Sequence, residues 1–231
     1  MLGMSLIFIP ILFNWIFASL AKQFEYPGIL RKPTGEVLAK FRAGGSRLVT
    51  TWWLFAMSAL AFGLAAVSLP FHLGLEKPVT ALIASLGLLA SLTQFLGLVR
   101  WPFMVPHLAR EAEHANETKL VAIDVVFQSL NRYLGVAVGE HLGYLFTGLW
   151  TATLGGVLLS TGIEIESGWQ IGFGFGGLVL GLLLVLCSME FVGKNEVNGW
   201  KFAGDITPFV YIAWSLWLVG LGVGLLTFMV A

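Results

Sequence analysis

Residues 118–160 read TKLVAIDVVFQSLNRYLGVAVGEHLGYLFTGLWTATLGGVLLS. The first third, 118–133, has the spacing of an amphipathic helix, and 134–160 is apolar enough to cross a bilayer. No proline interrupts the stretch, so it is predicted as one long helix rising from the cytoplasm into the membrane. Gly135, Gly139 and Gly143 recur every four residues and Thr147 continues the row. Steps of four advance about 400° on a helix, so the row forms a slowly drifting groove. Asp124, Gln128, Asn131 and Arg132 fall on nearly the same face and predict a polar strip leading up to that groove.

Outward from this stretch the chain repeats the pattern. It has 231 residues, 57% hydrophobic and 11% charged. Soluble domains carry about 25% charged residues, so the composition is that of a membrane protein. Five further apolar runs, at 2–20, 49–69, 79–99, 171–189 and 206–230, each approach the roughly 20 residues a span needs. The fold class expected is all-α, a six-transmembrane-helix bundle forming one domain over 1–231. The first run has no basic residue before it and no small-residue cleavage site after it, and reads as a retained span. Residues 22–47 read as a basic loop with a short helix near 36–42. Arg100-Trp101-Pro102, with Pro106 behind it, reads as a helix exit.

Charge distribution gives orientation. With the first loop inside, the inner segments hold Lys22, Arg31, Lys32, Lys40, Arg42, Arg47, Arg100, Arg110, Lys119, Arg132, Lys194 and Lys201, and the outer segments hold only Lys77. Cytoplasmic loops are the ones enriched in Lys and Arg, so both termini are expected outside the cytoplasm. The formal net charge is zero, which gives no long-range attraction to nucleic acid. Cys187 is the only cysteine, which excludes an intramolecular disulfide and a cysteine metal cluster and suits a packing role.

Glycine is what lets helices approach inside lipid, where burial of apolar surface no longer presses them together. Besides Gly135, Gly139 and Gly143, the pairs Gly172/Gly176, Gly177/Gly181 and Gly220/Gly224 predict packing faces. The first row either serves packing alone or borders a cavity.

Glu140 and His141 are the candidate ligand or proton site. Ionisable groups at membrane depth are costly and face the bundle interior or water. On an α-helix Glu140 shares a face with Tyr144, Thr147 and Thr151, and Asp124, Arg132 and Tyr144 join the candidate set. The alternative is structural: Glu140 hydrogen-bonded to hydroxyls or paired with Arg132 or Arg100. His107, Glu111 and His114, spaced i, i+4, i+7, are a weak candidate metal set on a solvated helix face. No P-loop, GxSxG elbow, HExxH or CxxC occurs, and no cofactor is predicted. Three functions stay open: a small carrier or channel-like protein for a solute or proton, a non-catalytic membrane subunit or regulator, and a metal-dependent membrane hydrolase. The bilayer is the one partner the sequence requires; a homo-oligomer or a membrane-protein partner stays open.

The run FQSLNRYLGVAVGEHLGY, Phe127 to Tyr144, together with Arg100-Trp101-Pro102 and Leu149-Trp150-Thr151, resembles a bacterial family of six-helix membrane proteins catalogued only as a domain of unknown function. The resemblance covers nearly the whole chain. It implies a location in the bacterial inner membrane and supplies no activity, ligand or catalytic residue.

Overall fold

The computed structural model describes residues 1–228, so the end of the expected last span, at Val230, lies outside the described residues. Every regular element is helical: α1 (Leu2–Phe24), α2 (Thr34–His72), α3 (Lys77–Glu113), α4 (Glu117–Leu130), a π-helical segment (Asn131–Leu142), α5 (Gly143–Glu164), α6 (Gly168–Cys187) and α7 (Lys201–Phe228), with 3-10 turns at Gly28–Arg31 and Gly193–Asn195. Helix α4, the π segment and α5 follow one another without a break. Among the described residues six helical rods result, each long and apolar enough to cross a membrane. The protein is an all-α, six-helix membrane bundle. Neighbours in sequence pack as neighbours in space: α1 against α2, α2 against α3, α5 against α6, and α6 against α7. Helix α7 returns to α1, and α3 packs on α5 and the π segment.

Connectors 25–33, 114–116 and 188–200 share one end of the bundle, and the short turns 73–76 and 165–167 share the other. The ion pairs among the described residues gather at the first end: Glu25 with Lys32 (3.0 Å) and Lys40, Arg42 with Glu113 (3.6 Å), Glu111 with Lys119 (2.6 Å), and Arg132 with Glu196 (2.6 Å). All are substantially exposed, so water and salt screen them and each contributes little to stability. We call this the basic end.

Two apolar cores stack along the bundle. One fills the space among the spans, around Phe62, Ile83, Trp150, Leu154, Trp217 and Leu221. The other lies at the basic end, around Phe24, Phe41, Trp52, Trp101, Val105 and Phe127. Trp52 and Trp101 stack at its centre, ring centroids 4.5 Å apart and planes 12° from parallel.

This second core explains why the helices overrun their expected ends. Helix α3 does not stop at Arg100-Trp101-Pro102. Pro102 and Pro106 each withdraw one backbone donor, but Trp101, Val105, Leu108 and Ala109 keep a buried stripe running down the same face. The expected basic loop is likewise helical from Thr34 onward. Val37, Leu38 and Phe41 bury one face of it, and the break comes at Gly45, whose φ of +55° and ψ of −154° only glycine adopts readily.

Glycine sets the spacing between rods. A Cβ on Gly155 would stand 2.4 Å from the Leu178 nitrogen, one on Gly174 2.3 Å from the Leu159 nitrogen, and one on Gly181 2.4 Å from the Ala152 nitrogen. The α5–α6 seam therefore runs through Gly148, Gly155 and Gly162 on one helix and Gly174, Gly177 and Gly181 on the other. Gly177 lies between the Gly155 Cα, 3.1 Å from where its Cβ would stand, and the Trp217 ring, whereas Gly172 faces open space and Gly176 has only Trp217 nearby (3.7 Å). Gly220 and Gly224 lie against the rings of Phe173 and Trp169. Gly3 and Gly222 bring α1 and α7 together: a Cβ on either would stand within 2.8 Å of the other's carbonyl oxygen.

Candidate functional site

The helix expected over 118–160 changes form in its middle. From Asn131 to Leu142 it is a π-helix, with hydrogen bonds reaching back five residues. Such windings are rare, short and frequent at functional sites; this one extends over 12 residues. It carries Arg132, Gly135, Gly139, Glu140 and His141 in one run.

Helix α3 lies along one side of the segment. The Arg100 Nη2 donates to Asn131 Oδ1 (3.0 Å), and its Nη1 donates to the Gly97 carbonyl. Gly135 backs onto this guanidinium: a Cβ there would be 2.6 Å from Nη2. One turn higher, Gly139 meets Gly97 backbone to backbone, and Gly143 meets the Gln94 side chain. Gln94 donates to Thr147 Oγ1 (2.7 Å), and Thr147 donates to the Gly143 carbonyl (2.7 Å). Thr151 accepts from the Trp214 indole (2.8 Å). A small cavity of about 20 Å³, room for a single water, lies beside Gln94, Tyr211 and Trp214.

Glu140 is half-buried beside this ladder. Among the described residues its carboxylate has neither a hydrogen bond nor an ion pair. His141 is better anchored: its Nδ1 lies 2.7 Å from the Ser188 carbonyl oxygen. A carbonyl only accepts, so Nδ1 is the donor in this bond and Nε2 is left free of it. Tyr144 stacks edge-on against Tyr211, ring centroids 5.1 Å apart.

The polar strip expected below the glycine row separates into three. Asp124 accepts from the Thr34 hydroxyl, and Gln128 donates to the same oxygen (2.9 Å). Asn131 takes Arg100. Arg132 turns outward to the α6–α7 connector, donating to both the Glu196 carboxylate (2.6 Å) and its carbonyl, with its guanidinium 5.3 Å from the Phe191 ring centre. Asp124 and Arg132 are thus engaged elsewhere than at the Glu140 carboxylate. Asp124 is taken by Thr34, the first residue of α2, and Arg132 by Glu196 on the α6–α7 connector.

At the end of α3, Glu111 is held by Lys119 (2.6 Å), while His107 and His114 are exposed. Among the described residues no three His, Cys, Asp or Glu side chains are arranged to hold a metal ion.

Beside the His141–Ser188 contact stands a residue that the sequence did not single out. Glu190, two residues beyond Ser188 and just past α6, is half-buried. Burial raises its carboxyl above the ordinary range, Arg31 opposes the shift and Asp205 adds to it. Its Oε1 is tucked against Gly204, where a Cβ would stand 2.7 Å away. The signal in the sequence was Gly199 and Gly204, the small residues flanking its resting place.

The family model described as "Domain of unknown function (DUF4386)" matches residues 1–222. Neither the curated proteins nor the solved structures contain a match to the chain. A match over nearly the whole six-helix bundle, including the π segment and both faces of the polar site, is decisive: the chain belongs to the DUF4386 family of domains of unknown function.

Proposed function

We propose that the protein is a small membrane carrier that binds a solute or proton at Glu140, with His141 and Tyr144 beside it. The observation that carries this reading is a half-buried carboxylate with no hydrogen-bond partner inside an apolar bundle. Such a group is expensive, and a purely structural carboxylate would be expected to have found donors. The neighbouring π segment adds support, because helices keep that winding mostly where function requires it. The cavity near Gln94 holds no more than a water, which favours a carrier that changes shape over an open pore.

This reading puts one domain in the bacterial inner membrane, with the basic end in the cytoplasm and both termini outside. Arg132 and Asp124 serve the carrier from a distance, by bracing the helix. Proteoliposomes test the proposal: Glu140→Gln should reduce proton or solute flux at least about tenfold, while His141→Gln reduces it less. Equal flux from wild type and Glu140→Gln, with both proteins folded, would remove it.

A second reading, a membrane subunit or regulator, draws on helix α4. It buries only Ile123 and Phe127 and leaves Val121 (66% exposed) and Val125 (59%) uncovered. A stable protein partner that co-purifies and is lost on Val125→Glu would favour this reading over the carrier. The hydrolase reading draws no support from the placement of Glu111 against Lys119.

A further inference from the structure

The α6–α7 connector touches the π segment twice, once near each end. At Arg132 the contact is a charge-assisted pair to the Glu196 carboxylate, a second bond to the Glu196 carbonyl, and a ring contact with Phe191. At His141 it is the hydrogen bond to the Ser188 carbonyl. Between these two fastenings along the π segment lies Glu140.

The connector is closed on itself. The Trp200 nitrogen donates to the Glu190 carbonyl (2.6 Å), which closes residues 190–200 into a loop with joined ends. Gly193 and Gly199 both have positive φ, +64° and +73°, conformations that glycine adopts at little cost. The side chains that latch it are at the rim: Arg132 is 40% exposed and Glu196 63%. An ion pair so placed is weak and screened by salt. The anchor at His141, by contrast, is half-buried.

We propose that residues 188–200 form a strap that closes the Glu140 region off from water at the basic end, with Arg132–Glu196 as its release latch and the Ser188–His141 bond as its pivot. Opening the latch lifts Glu196 and Phe191 away from the π segment and uncovers Glu140. The strap gives the proposed carrier its gate on one side. The inference rests on that reading for its purpose and on the contacts for its existence, so the two can fail separately.

The test uses the full-length protein in nanodiscs. In a Cys187→Ser background, Glu140→Cys is labelled with a charged, membrane-impermeant maleimide. Adding Arg132→Ala should speed labelling about threefold to fivefold, the effect of losing one exposed pair. Raising ionic strength should speed it in the parent and leave the Arg132→Ala protein unchanged. The charge exchange Arg132→Glu with Glu196→Arg should restore slow labelling. Equal rates in all three proteins overturn the strap, as does failure of the exchange to restore it. Hydrogen exchange over 188–200, in protein that keeps Glu140, gives a second measure should the cysteine variant not fold: Arg132→Ala must raise exchange there, and unchanged exchange overturns the proposal. Latch effects without any flux in liposomes would keep the strap and remove the carrier.

Discussion

Gly97 and Gly139 are in backbone contact: a Cβ added to Gly97 would stand 2.5 Å from the Gly139 Cα. Neither chain has a flexible side chain there that can yield. Gly97→Ala or Gly139→Ala should therefore force α3 and the π segment apart and destabilise the bundle by about 1–3 kcal/mol. Gly172→Ala is the control. Nothing lies within 4 Å of that position, and alanine is the better helix former, so stability should be unchanged or higher by up to about 1 kcal/mol. Equilibrium unfolding in mixed micelles separates the two outcomes.

Trp101 is fully buried and stacked on Trp52, yet the indole N–H of each is without a hydrogen-bond partner. The second core thus depends on their ring area and gains nothing from their polar atoms. Trp101→Ala should cost about 3–5 kcal/mol and open the basic end to limited proteolysis within 25–47. Trp101→Phe keeps most of the packing and removes an orphaned donor, so its cost should stay below about 1.5 kcal/mol. A larger penalty for phenylalanine would mean the N–H has a partner in solution.

Glu25 marks a pH response. Hydrogen bonds from Lys40 and then Lys32, with their charges, hold its carboxyl at about 2, down from an ordinary 4.5. A carboxyl whose pKa is lower folded than unfolded stabilises the fold above the unfolded value. That stabilisation is lost as pH falls through the folded value. Acid should therefore weaken the 25–40 segment between about pH 4.5 and 2, and Glu25→Gln should flatten the loss. Acid titration of thermal stability, wild type against variant, is the check. The effect is small, because the group is exposed.

Orientation is open to direct labelling. Single cysteines replacing Arg31 and Lys194, introduced separately into a Cys187→Ser background, should react from the same side of sealed vesicles. One replacing Lys77 should react from the opposite side. That pattern follows from alternating rods and from the tendency of Lys and Arg to stay in the cytoplasm. Reaction of the Arg31 and Lys194 positions from opposite sides would contradict the order of the spans.

The spans were legible because bilayer thickness imposes a length that composition alone reveals. The helix ends were harder, since they depend on what lies beyond the lipid. Pro102 and Pro106 look like a stop until Trp101, Val105 and Leu108 are seen to serve a second core. Glycine spacing was informative in kind and only partly in register: Gly135, Gly139 and Gly143 do lie against α3, and Gly177 and Gly181 do meet α5 at Gly155 and Gly148, whereas Gly172 and Gly176 turn away and Gly174 joins the seam instead. That choice depends on the rotation of one helix against the other, which no single helix encodes. The winding of residues 131–142 was invisible, because residue spacing carries no mark of hydrogen bonds that reach back five residues rather than four. Arg132 was equally hard to place, because its partner Glu196 is 64 residues away.

Helix α3 runs as a single 37-residue rod from the turn at Lys77 to Glu113, about 55 Å at 1.5 Å per residue. Its lower portion is wedged between α2 and α4 by the stacked tryptophans, and its upper portion bears on the π segment at Gly97. With only glycine on both sides of that crossing, α3 and the π segment stand at backbone distance, and the Gln94–Thr147 hydrogen bond one turn away depends on that spacing. A methyl group added at the crossing would therefore also stretch a polar contact that it never touches.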